Sequence, residues 1–143
     1  MSSYLNIYLV PYKKGKDKQE PLLFTCYNRS SEVYQAFCKT LNPAYIGSEN
    51  TPKYSELTEA DAKRVVEEVE YNLEQSKNKL EYMVEFYKEV MSEKIPKEAF
   101  EEYKELKEYI EQLKSTLITV KGIHEWVSGI GDSDFEKVLI NID

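Results

Sequence analysis

From Tyr4 to Tyr12 the chain alternates: Leu5, Ile7 and Leu9 fall on one side, Tyr4, Asn6 and Tyr8 on the other, and Pro11 ends the run. A period of two predicts a strand. The polar stretch at 13–20 carries Lys13, Lys14, Lys16 and Lys18, and Leu22 to Tyr27 follows as a second strand. Simple alternation there sets Leu22, Phe24 and Cys26 on one face and Leu23, Thr25 and Tyr27 on the other. Together the two predict a β-hairpin with a long lysine-rich turn. Ser30 or Ser31 can then cap a helix whose apolar positions Val33, Ala36, Phe37 and Leu41 recur at helical spacing. Asn42-Pro43 stops it.

Residues 42–56 have no periodicity and read as a loop, pinned to the body by Tyr45, Ile46 and Tyr54. Thr58 with Asp61 three positions on resembles a capping box, and Leu57 and Ala62 stand where a hydrophobic staple would close it. The apolar residues now step by three and four: Ala62, Val66, Val69, Leu73, the polar Ser76, Leu80, Met83, Tyr87 and Val90. This is a heptad seam on a helix reaching about Met91. After 92–96, where Pro96 suits a first helical turn, the seam resumes as Ala99, Tyr103, Leu106, Ile110, Leu113, Leu117, Val120, His124 and Val127. So short a connection forces the two helices antiparallel, with Leu80 against Leu106, Leu73 against Leu113 and Val66 against Val120. A helix of about 33 residues spans roughly 50 Å, so part of the hairpin must project beyond a small sheet. Val65 and Ile123 widen the apolar stripe at the open end, marking it as the docked end. Gly129 to Asp134 breaks the pattern, and Val138, Ile140 and Ile142 alternate on a final strand that returns to the sheet.

The expected architecture is therefore α+β: a small antiparallel sheet of the N-terminal hairpin plus the C-terminal strand, one short helix and a long antiparallel helical hairpin of coiled-coil type. It forms a single domain over 1–143, with a sheet body at 1–56 and 128–143 and a projecting hairpin at 57–127.

Composition narrows the chemistry. The 143 residues are 41% hydrophobic, which supports a core, and no apolar run approaches the length of a membrane helix. The start lacks the features of a signal peptide, so a cytoplasmic location is expected. Two Cys and one His provide neither a disulfide scaffold nor a zinc site. His124 reads as a packed seam residue, and Cys26 and Cys38 as buried inert thiols. Asp132 and Asp134 open like a calcium loop but lack its closing Glu, and Gly129-Ile130-Gly131 follows a helix, so it is no phosphate loop. No catalytic set is present and an enzyme is not expected; neither metal nor cofactor is implied.

Charge adds two candidate surfaces. Acidic residues outnumber basic ones by 26 to 19, for a net charge of −7. Glu67, Glu70, Glu74, Glu81, Glu85 and Glu89 line the first long helix, and Glu101, Glu102, Glu105 and Glu108 thicken the acid near the tip. Interspersed lysines make this the solvated face of a coiled coil, and a duplex mimic is its alternative reading. Asn28, Arg29, Ser30 and Ser31 open a helix, where free N–H groups favour an anion, with Tyr45 and Tyr54 as stacking partners.

These features imply a non-enzymatic protein-interaction or oligomerisation module. It either binds a protein partner or forms a homodimer through Glu74, Glu81, Glu85, Tyr87 and Tyr103, without direct nucleic-acid or membrane contact. A small anionic-ligand binder at Asn28–Ser31 and an acidic nucleic-acid mimic are the alternatives. Only two of the 19 basic residues are Arg (Arg29 and Arg64), as AT-rich coding gives, which suits a low-GC bacterium or one of its phages and a phage or mobile-element accessory role.

Overall fold

The computed structural model describes residues 4–11, 21–41, 54–91 and 97–142. The elements run β1 (Tyr4–Pro11), β2 (Leu22–Asn28), α1 (Glu32–Leu41), β3 (Ser55–Glu56), α2 (Glu59–Met91), α3 (Lys97–Ser128) and β4 (Phe135–Ile142), with a short 3-10 turn at Ile130–Asp132 before β4. The expected α+β class and the long packed helical hairpin are both present. The Lys13–Lys18 turn, Asn42-Pro43, Tyr45, Ile46 and Pro96 lie outside the described residues.

One antiparallel sheet has the order β2-β1-β4-β3, so the last strand of the chain lies inside it. Leu5, Ile7 and Leu9 of β1 stand opposite Ile142, Ile140 and Val138 of β4, and all six are buried on the face that the helices cover. Leu57 N–H donates to the Val138 carbonyl at 2.9 Å, which carries the β3–β4 ladder to the threshold of α2. β3 corrects the sequence reading, which placed 42–56 wholly in a loop. A strand of two residues has no period to detect, and its partner is more than 80 positions away.

The phase of β2 is a second correction. Ile7 pairs with Thr25 but Tyr8 pairs with Leu23, so Phe24 is an extra residue in the ladder, a β-bulge. The bulge resets the alternation. Thr25 and Tyr27 join the face of Ile7 and Leu5, whereas Cys26 pairs opposite Asn6 on the other face and is exposed, not buried. Phe24 reaches the helices at the rim, stacked on Trp126 with ring centroids 5.6 Å apart and planes 7° from parallel.

Asn6 and Asn141 are directly opposite on the face away from the helices; both are buried, and Asn6 Nδ2 donates to Asn141 Oδ1 at 3.0 Å. Replacing one partner strands a buried amide, so Asn6→Val is expected to lower stability by about 1–3 kcal/mol. Asn6→Val with Asn141→Val removes both polar groups and should recover most of that loss. Urea unfolding of the two single variants and the double measures this coupling, and additive losses would show that the pair does not act as one.

Local signals set the helix ends. Ser31 Oγ accepts from the Val33 N–H at 3.2 Å and so caps α1, and Thr58 Oγ1 accepts from the Asp61 N–H at 3.1 Å at the start of α2. Leu57 and Ala62, the staple positions, are both buried. Along the hairpin, full burial covers Ala62 to Leu73 on α2 and Ile110 to Val127 on α3, while Leu80 and Leu106 are only half-buried. α1 packs against both long helices. Arg64 Nη2 donates to the Thr40 carbonyl at 3.3 Å, meeting one of the acceptors that a helix C-terminus leaves open. No described helix is long and apolar enough to cross a membrane.

Candidate functional site

The Asn28–Ser31 turn is built mainly from its own hydrogen bonds. Asn28 Oδ1 accepts from the Ser30 N–H at 3.1 Å and from the Ser30 hydroxyl at 2.6 Å, and the Asn28 carbonyl accepts from the Ser31 N–H. Gln35 Nε2 donates to the Arg29 carbonyl at 2.7 Å. The N–H groups of Ser30, Ser31 and Val33 are thus taken, and Glu32 already supplies a negative charge in the first turn of α1. A cleft of about 330 Å³ opens between this turn and α3, bordered by Ser30, Ser31, Ser115 and Thr119, with Glu32 at the same opening. A second cleft of about 400 Å³ shares Glu32 and Thr116 with it and continues between α1 and the hairpin past Asn72 and Tyr109.

The fold does not bring the expected stacking partners to this turn. Tyr54 precedes β3 at one edge of the sheet and meets Tyr8 edge-on at 5.1 Å, whereas Asn28 ends β2 at the opposite edge. Three strand spacings separate them, which at about 4.8 Å each amounts to some 14 Å. Tyr45 lies outside the described residues.

His124 and Cys38 have structural surroundings. His124 is half-buried, and its Nε2–H donates to Glu59 Oε1 at 2.8 Å, bridging the open ends of α2 and α3. Burial pushes the Cys38 thiol above its ordinary value, with a Tyr34 hydrogen bond acting in the opposite direction. A raised thiol carries less thiolate at neutral pH and is a poorer nucleophile. Among the described residues no group of three or more His, Cys, Asp or Glu is placed to hold a metal ion.

The hairpin carries a different kind of surface. Glu74, Glu81 and Glu85 are exposed on α2, while Tyr87 and Tyr103 are half-buried seam residues; Lys107 Nζ sits 5.3 Å from the Tyr103 ring centroid. Glu67, Glu74 and Glu81 recur every seven residues beside the seam of α2, and Lys107, Lys114 and Lys121 do so beside that of α3. In an antiparallel pair the equivalent flanks of the two helices face each other. α1 covers the flank of Asn72 and Thr116. The acidic row therefore shares the open flank with a basic row, which reduces the field it projects.

Opposite the seam, Tyr71, Gln75, Asn78 and Tyr82 step by four, three and four along α2, and Phe86, seven-fold in register with Val65 and Asn72, continues the stripe onto the flank of the seam. Tyr71 is 61% exposed, Tyr82 69% and Phe86 45%. The Tyr82 and Phe86 rings stack at 6.3 Å, and Phe86 meets Tyr87 edge-on at 5.5 Å. This outer stripe was missed from sequence because the stronger seam periodicity masks it, although its spacing is plain once the seam is removed.

Compared with protein families, with characterised proteins and with solved structures, the chain matches none.

Proposed function

We propose that the protein is a non-enzymatic interaction module that recognises a protein partner through the outer face of α2. The observation that carries this reading is the uncharged aromatic stripe of Tyr71, Tyr82 and Phe86, which the seam does not use. Aromatic side chains supply contact area at low entropic cost and dominate binding energy where they are buried by a partner. Glu74, Glu81 and Glu85 run beside the stripe, so the matching surface is apolar with basic residues at its rim. Antiparallel self-pairing through this face would set each Glu row against its own copy, which favours a foreign partner here.

The test compares the wild-type chain with a Tyr82→Ala, Phe86→Ala double variant by affinity capture from the native host. Both side chains are exposed, so the variant should keep its stability within about 0.5 kcal/mol of the wild type. It should lose partners that the wild type retains, and Glu74→Lys with Glu81→Lys should weaken the same partners most at low salt. Identical protein sets on wild type and double variant would refute the reading.

A further inference from the structure

We propose that the outer edge of β2 pairs with β2 of a second copy, so that the protein self-associates through an antiparallel β2–β2 ladder. This surface is separate from the α2 stripe and does not depend on it.

β2 is an edge strand, and among the described residues no strand pairs with its outer side. Its N–H and C=O groups there form a template for one more strand. Leu22, opposite Leu9 on the helix-covered face, is 54% exposed, Leu23, opposite Tyr8 on the other face, 58%, and Phe24 at the rim 58%. Phe24 is held at this rim by its stack on Trp126, which makes a rigid apolar shoulder beside the open ladder. Leu22–Asn28 contains no charged residue in a chain where 31% of residues are charged, so the bulge at Phe24 is the one device within the strand that blunts this edge.

Charge selects the occupant. Each copy has a net charge of −7, so two copies repel wherever acidic surfaces meet. At β2 neither copy presents a charged side chain, and ladder hydrogen bonds form without opposing like charges. Symmetry agrees: a two-fold axis makes strand neighbours antiparallel, and every pairing already in this sheet is antiparallel. The result is one continuous sheet of eight strands.

Area sets the strength. A seven-residue strand with three half-exposed apolar side chains offers a patch no larger than the low end for specific association, about 1,200 Å², so the dimer should be reversible with a micromolar Kd. A two-fold axis near Thr25 also sets exposed Cys26 close to its own equivalent.

Light scattering after size exclusion, from about 1 to about 500 μM, should show the mean mass rising from monomer to dimer and stopping there. In a Cys38→Ser background, where Cys26 is the sole thiol, a short bismaleimide should link two chains. Leu22→Lys with Leu23→Lys should remain monomeric and uncrosslinked over the same range while keeping the wild-type thermal midpoint. A wild-type monomer throughout, or a mass growing past two copies, overturns the proposal. So does a dimer that survives both lysines but is lost in the Tyr82→Ala, Phe86→Ala variant, since its contact would lie on the hairpin.

Discussion

A chain stopped after Asp134 is expected to lose cooperative folding altogether. β4 is bonded on both sides, to β1 and to β3, and it contributes Val138, Ile140 and Ile142 to the core. At about 1.5–3 kcal/mol for each fully buried aliphatic side chain, those three residues alone represent roughly 5–9 kcal/mol. That is comparable to the entire stability of an ordinary domain, about 5–15 kcal/mol. β1 would also face water with an unpaired ladder edge, and Asn6 would lose its partner. Far-UV circular dichroism should retain helix signal from α2 and α3, while the near-UV signal and the sharp thermal transition disappear. A truncated chain melting within a few degrees of the full one would show that the sheet does not need its inner strand.

The second large effect is expected from Phe37→Ala. Phe37, on α1, is 1% exposed and is the largest of the fully buried side chains. Its removal forfeits transfer free energy and leaves a cavity in the core, a loss of about 3–5 kcal/mol. For a domain of this size the thermal midpoint should fall by roughly 10–15 °C. Phe37→Leu, which refills much of the space, should lose less than half as much. Equal losses for the two variants would mean that ring-specific contacts, not volume, hold α1 in place.

What the sequence discloses here follows from the range of each interaction. The caps at Ser31 and Thr58 and the staple of Leu57 and Ala62 act within five residues, so their residue types are visible side by side. The seam is legible because a helix repeats its own geometry and needs no partner to define its phase. β2 is different. Its phase depends on where β1 admits the extra residue Phe24, and nothing within Leu22–Asn28 announces that bulge. Cys26 was therefore expected on the buried side.

The return of the C-terminal strand to the sheet was readable, but its place in the strand order was not. Val138 to Ile142 is apolar on both faces except for Asn141, as an inner strand should be, but Leu22 to Tyr27 is as apolar and yet lies at an edge, so the pattern alone does not order the strands. The candidate site was legible only as local chemistry. Asn28, Ser30 and Ser31 form the turn their side chains suggest, but Tyr54 belongs to the far edge, and only the three-dimensional order of the strands reveals that separation.

The pairing of Leu5 with Ile142 has a kinetic corollary. During synthesis the first strand emerges almost the whole chain ahead of its inner neighbour, and its apolar face must wait until α2 and α3 have been made. The helices close on local contacts within microseconds, whereas joining segments so distant along the chain is slow. Refolding from denaturant should thus show helical signal well before the sheet locks, and a nascent chain halted within α3 would present β1 and β2 bare to any chaperone at the tunnel exit.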